Sequence, residues 1–154
     1  MKILIAGALG FMGREVAAQA KAGGIEVACG VDIAPGQADF PLYTTFEECP
    51  PVDVIVDFST WKPGADLLSY AVKHRIPAVI ATTGLSEEQL AAIDEAAKVI
   101  PVFRSGNMSL GIAVLCRLAK QAAAAFPDAD IEIVEIHHNR KVDAPSGTAK
   151  MLFE

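Results

Sequence analysis

The chain has 154 residues, 52% of them hydrophobic and 21% charged, with a formal net charge of −6. That balance is one of a globular chain able to build one ordinary core. It excludes a nucleic-acid binder, because an acidic protein with 6% aromatic residues lacks both the broad basic surface and the stacking platforms such binding needs.

The opening M-K-I-L-I-A-G passes from a single lysine into a short apolar run without the long hydrophobic stretch of a signal peptide, so a cytoplasmic location is expected. Cys29, Cys49 and Cys116 are widely spaced, with no C-x-x-C and no histidine at ligand spacing; reduced thiols and no metal site are expected. Lys2 to Ala6 reads as a strand, followed by Gly7-Ala8-Leu9-Gly10-Phe11-Met12-Gly13 and a helical stretch from Arg14 to Ala22. The spacing G-x-x-G-x-x-G between a strand and a helix is a variant of the dinucleotide fingerprint, in which glycines let backbone amides at a helix start approach a pyrophosphate. A tight turn with no ligand would satisfy the glycines alone. A second strand, Ile25 to Val31, ends at Asp32, roughly twenty residues on, where the fingerprint places an acid for the ribose hydroxyls. An acid there repels a 2′-phosphate, and Ile33-Ala34-Pro35-Gly36 adds no cation, so NADH is expected in preference to NADPH, with NADPH still admitted.

Residues 35–51 read as a loop with a short edge strand at Leu42-Tyr43-Thr44 and a helical turn at Phe46-Glu47-Glu48. Val52 to Phe58 is apolar enough for a parallel strand covered on both faces, with Ser59-Thr60 as a helix cap after it. A helix over Lys62 to His74, a strand over Ala78 to Ala81 and the loop Thr82-Thr83-Gly84 come next. Ser86-Glu87-Glu88-Gln89 is a capping-box start for a helix reaching about Lys98. Pro101-Val102-Phe103 returns as a strand, Arg104 to Ser109 breaks it, and Leu110 to Ala125 is a long helix. Arg117 and Lys120 interrupt its apolar run, so no membrane span is expected. Trp61 and His74 read as structural. Five strands alternating with helices predict an α/β fold: a Rossmann-like doubly wound parallel sheet, with a ligand crevice at the carboxyl ends of its strands.

Ile131, Ile133, Val134 and Ile136 form a β-branched run expected to be a strand that begins a second unit. His137, His138, Arg140 and Lys141 then gather hydrogen-bond donors within five residues, a cationic spot in an acidic protein and so a place for an anionic ligand. His137, with an unperturbed pKa near neutrality, reads as a proton donor and Lys141 as its electrostatic helper. After Asp143-Ala144-Pro145, Ser146 is placed to cap a helix beginning at Gly147, and the amides of Gly147, Thr148 and Ala149 would face a carboxylate or phosphate. Two histidines and a basic pair decorating a solvated loop is the plainer alternative.

The run E-I-H-H-N-R-K-V-D-A-P-S-G-T-A resembles the signature of the 4-hydroxy-tetrahydrodipicolinate (dihydrodipicolinate) reductase family of the diaminopimelate route to lysine. The likeness extends from G-A-L-G-F-M-G through A-T-T-G and S-G-N-M-S. It implies an NAD(P)H-dependent oxidoreductase acting on a small cyclic dicarboxylate, with His137 and Lys141 catalytic and His138, Lys141, Ser146, Gly147 and Thr148 around the substrate. It further implies that residues 7–13, Asp32, Ala81, Thr82 and Thr83, with Ser105, Gly106, Asn107 and Met108, bind the cofactor; Ala81 replaces the first glycine of the family's G-T-T-G. Residues 1–109 would be the dinucleotide-binding domain and 110–154 part of the substrate domain. The family pattern continues past Glu154 into the rest of that domain and a homotetramer, so a fragment, a trimmed chain or a shortened relative is expected. A catalytically silent NADH-binding module is the alternative function.

Overall fold

The computed structural model describes residues 1–61, 64–139 and 144–153, which divide into two compact units, Met1–Arg104 and Ser105–Glu154. In the first unit, strands β1 (Lys2–Ala6), β2 (Glu26–Val31), β3 (Leu42–Tyr43), β4 (Val54–Asp57), β5 (Ala78–Ile80) and β6 (Val102–Arg104) make one sheet. All pairings are parallel, and the spatial order is β3-β2-β1-β4-β5-β6. The chain therefore winds outward from β1 to β3, returns to β4 beside β1, and winds outward again. The point of return lies between the carboxyl ends of β1 and β4, where such sheets open a ligand crevice.

Period-two alternation explains why both faces are covered. Ile3 and Ile5 point to one side, where Ala20, Val16 and Ala17 of α1 (Phe11–Ala22) pack on them. Leu4 and Ala6 point to the other, joining Cys29, Ile55, Leu67 of α2 (Gly64–His74) and Ile93 of α3 (Glu87–Ala97). Trp61 and Cys49 pack on the edge of this second layer. The Cys29 and Cys49 thiols are close enough to hydrogen-bond, which lowers the pKa of Cys29 against the effect of burial and raises that of Cys49, with burial adding to the rise.

Helix ends follow local chemistry. At α3, Ser86 Oγ accepts from Gln89 N (3.3 Å) and Gln89 Oε1 accepts from Ser86 N (2.7 Å), the capping box that the sequence predicts. α1 and α2 close with the same pair of bonds: Gly24 N to Lys21 O with Ile25 N to Ala20 O, and Arg75 N to Val72 O with Ile76 N to Ala71 O. The closing residue is left-handed in each, Gly24 at φ 67° and Arg75 at φ 55°. His74 ends α2, its ring 4.5 Å from that of Tyr70. α1 begins at Phe11, immediately after Gly10, earlier than the Arg14 start read from the sequence. Phe46–Glu48 forms a bend and a turn, not a helical turn, and Ser59-Thr60, expected to cap the next helix, does not cap α2, which begins only at Gly64; the Ser59 hydroxyl donates to Asp57 instead.

The second unit contains α4 (Leu110–Ala125) and α5 (Gly147–Phe153). Among its described residues only Ser146 and Ala149 are buried. The strand expected over Ile131 to Ile136 is not formed. A strand needs a partner to complete its ladder of hydrogen bonds, and none of the described residues pairs with this segment, which leaves Ile136 93% exposed. Among the described residues no helix is long and apolar enough to cross a membrane.

Candidate active site

The glycine loop is closed by sterics. Gly7 has φ +74°, donates to Val31 O (2.9 Å), and would place a Cβ 2.8 Å from Phe58 O and 2.9 Å from Ser59 Cα. At Gly13 a Cβ would lie 2.1 Å from Gly7 O, so helix, loop and the exit of β4 touch backbone to backbone. Gly10, the N-cap of the 12-residue α1, has no side chain with which to cap the first turn. The amides there are left for an anionic ligand, and the helix dipole favours negative charge at the same place. These residues fit a dinucleotide's pyrophosphate.

Tertiary structure brings Asp32 to this loop. Its Oδ2 accepts from Leu9 N (2.8 Å) and its Oδ1 from Ile33 N (2.9 Å). Gly7, Gly10, Asp32 and Ile33 line one cavity of about 210 Å³ with Phe58, Ser59 and Thr60. A carboxylate has about four acceptor positions, so Asp32 can hold the loop and still accept from ribose hydroxyls. Arg14, passed over in the sequence, donates from Nε to Leu9 O (3.0 Å) and ties a cation to the other side of the same residue. Ala8 is buried in the core and Leu9 packs against Gly36, so their side chains serve the fold; Phe11 and Met12 are exposed.

At the exits of β4 and β5, Thr82 is buried and donates from Oγ1 to Asp57 Oδ2 (2.7 Å). Its neighbour Ala81 donates from N to Asp57 O (2.9 Å), while Thr83 is exposed. Asp57 is a buried polar residue of this region, in a segment whose sequence predicts only a covered strand. A carboxylate at the carboxyl end of an otherwise apolar strand was the signal available.

In the second unit, Asn107 joins two segments. It donates from Nδ2 to Thr148 Oγ1 (2.7 Å), its Oδ1 accepts from Ser109 N (2.8 Å), and its backbone O accepts from Ser105 Oγ (2.7 Å). Thus Asn107, expected at the cofactor and held by Ser105, meets Thr148, expected at the substrate; Gly106 is half-buried and Met108 exposed. Ser146 caps α5 as expected, accepting at Oγ from Ala149 N (3.0 Å) and at O from Lys150 N (3.0 Å). The Ala149 amide is therefore spent on the cap and does not face a ligand, which leaves Gly147 and Thr148 from the predicted cradle. Glu135, unnoticed in the sequence, accepts at Oε1 from Ser146 N (2.9 Å) and sets Oε2 3.7 Å from His137 Nδ1. It turns Nε2 of His137 to the side away from the carboxylate. His138 lies beside it on an exposed segment. Lys141 falls outside the described residues.

A parallel sheet of this strand order, with a closed glycine loop, a helix without a side-chain cap and an acid at the end of β2, defines a Rossmann-type dinucleotide-binding protein. Residues 1–108 match the N-terminal part of dihydrodipicolinate reductase and residues 111–154 its C-terminal part. The chain belongs to the dihydrodipicolinate reductase family.

It is 51% identical to a 4-hydroxy-tetrahydrodipicolinate reductase of Caldanaerobacter subterraneus subsp. tengcongensis, an alignment covering 100% of this chain and 62% of that protein. With one from an Exiguobacterium species it shares 46%, covering 99% of this chain and 59% of the other. The dipicolinate-bound dihydrodipicolinate reductase of a Paenisporosarcina species superposes with a TM-score of 0.78 at 28% identity, over 99% of this chain and 63% of that one. The WlbA dehydrogenase of Thermus thermophilus, solved with NAD and α-ketoglutarate, superposes at 0.59 with 14% identity over 79% of this chain and 47% of that one, a likeness of fold alone. The chain thus spans about three-fifths of the length of these curated relatives.

Proposed function

We propose that this chain carries the dinucleotide-binding unit and the first part of the substrate unit of a cytoplasmic 4-hydroxy-tetrahydrodipicolinate reductase, which makes tetrahydrodipicolinate for lysine synthesis. The observation that carries this reading is the closed glycine loop with the Asp32 carboxylate seated on its Leu9 amide, in a chain whose second unit supplies His137. NADH is the preferred cofactor, since the Asp32 carboxylate repels a 2′-phosphate; Arg14, in the first turn of α1 and bonded to the loop at Leu9 O, lets NADPH bind more weakly. The homotetramer implied by the resemblance is proposed for the whole protein.

A reduced nicotinamide, when bound, supplies hydride to a conjugated cyclic imine. In this scheme His137 donates a proton as negative charge develops at the ring nitrogen, and Glu135, facing Nδ1, orients the imidazole. Lys141 adds positive charge for the dicarboxylate. His138, Gly147 and Thr148 hold its carboxylates, with Ser146 supporting them as the helix cap and Asn107 fixing Thr148. Ala81, Thr82 and Thr83, with residues 105–108, contribute to the cofactor site.

A second reading, a silent NADH-binding module, is favoured by the absence of buried residues on α4 and of any strand ladder along 131–136 among the described residues. Titration with NADH and NADPH, followed by NADH oxidation with freshly generated substrate, separates the two. The reductase reading expects turnover, with kcat in His137→Ala lowered on the order of 10²–10⁴-fold and NADH affinity near that of the parent. NADH binding without turnover selects the silent module, and equal NADH affinity in parent and Asp32→Ala overturns the cofactor assignment. Asp32→Ser with Ile33→Arg should move the preference toward NADPH.

A further inference from the structure

We propose that Asp57 is a positioning residue for the nicotinamide half of the dinucleotide, an inference that rests on the cofactor reading above. Asp57 closes β4 in a rung shared with Ala6 of β1 and Ile80 of β5, beside the point where the sheet reverses its winding. It is 3% exposed, and no described cation pairs with it. Burying a carboxylate is costly unless donors surround it, and an apolar residue would serve the core at lower cost. The donors come from the two crevice loops. Oδ1 accepts from Ser59 N (2.9 Å) and Ser59 Oγ (2.5 Å), and Oδ2 accepts from Thr82 Oγ1 (2.7 Å). Thr82 Oγ1 also lies 3.3 Å from Ser59 O, and the main-chain oxygen of Asp57 accepts from Ala81 N (2.9 Å). One side chain therefore stitches the exit of β4 to the exit of β5.

The stitched segment forms a wall of the cofactor cavity. Phe58, Ser59 and Thr60 line the cavity with Gly7 and Asp32, and the missing Cβ of Gly7 would sit 2.9 Å from Ser59 Cα, so the wall packs directly on the glycine loop. In a doubly wound sheet the dinucleotide lies across the switch point, one nucleotide to each side. Asp32 at the end of β2 takes the adenosine side; Phe58, Ser59 and Thr60 bound that cavity from the side of β4, and the β5 exit beyond them, at Ala81 and Thr82, is left for the nicotinamide side. Asp57 acts there through Ser59 and Thr82, not by touching the ligand.

The test uses the full chain with Asp57→Asn, which sets an amide N–H₂ against donors, and Thr82→Val, which keeps the shape and removes one bond. Dissociation constants for NADH and for ADP, which lacks the nicotinamide half, are measured by calorimetry, with circular dichroism confirming the fold. The expected result is an NADH Kd raised about tenfold in each variant with the ADP Kd within about twofold of the parent. Equal weakening of both ligands, as a general structural role requires, overturns the proposal, as does an unchanged NADH Kd. If Asp57→Asn does not fold, Thr82→Val decides alone. A parent that binds neither ligand overturns the cofactor reading and this inference with it; a parent that binds both, with the NADH-to-ADP ratio unaltered in the variants, overturns this inference only.

Discussion

Leu4 and Leu115 are the same residue type in two different situations. Leu4, in the central strand of the first unit, is 0% exposed between α2, α3 and the neighbouring strands, whereas Leu115, on the helix of the second unit, is 48% exposed. The contrast extends to whole units. The sheet of the first unit has apolar layers on both faces, while α4 has no buried residue despite a composition as apolar as a core helix. An apolar stripe is only a request for a partner, and stability comes from the partner being present. Leu115 lines an apolar groove with Ile131, Ile133 and Phe153, within a chain three-fifths the length of its curated relatives.

The largest difference between the units should appear in amide exchange. Amides of β1 and β4 should exchange at least about 10³-fold more slowly than those of α4, because they open only with the unit as a whole. Comparable protection in α4, read by hydrogen-exchange mass spectrometry, would break the comparison. Next comes the leucine pair: Leu4→Ala should cost about 2–5 kcal/mol in urea unfolding and Leu115→Ala about 0.5 kcal/mol or less. A loss at Leu115 as large as that at Leu4 would mean that α4 is covered in solution. The smallest effect compares two serine caps with like geometry. Ser86→Ala should cost about 1 kcal/mol and lower Tm by roughly 4–8 °C, whereas Ser146→Ala, capping a helix outside the stable core, should leave the main transition within about 0.5 kcal/mol. Equal shifts in a melting curve would show that both units unfold together.

Where the sequence read well, the information was local. The capping box at Ser86 spans four residues, and the observed bonds are those its side chains predict. The helix over Leu110 to Ala125 begins and ends where the sequence breaks it. The glycines at 7, 10 and 13 were legible because a missing side chain has one steric meaning in a turn, and the positive φ at Gly7 and the 2.1 Å approach at Gly13 supply it.

Elsewhere the deciding partner is distant in the chain or is not found among the described residues. The β-branched run 131–136 has the composition of a strand, but composition cannot provide the neighbour that a strand must bond. Glu135 stood in plain view two residues before His137. Its role depends on Ser146, 11 residues away, closing onto it.

By itself, the sequence determined the order of strands and helices in the first unit, the caps at Ser86 and Ser146 and the glycine loop, since each rests on a side chain acting within a turn or two of its own backbone. Tertiary structure decided the rest. It seated Asp32 on the amide of a residue 23 positions earlier and Asp57 on a hydroxyl 25 positions later, because the parallel crossovers bring the carboxyl ends of distant strands side by side; the fingerprint spacing points to Asp32, but no spacing along the chain points to the meeting of Asp57 with Thr82.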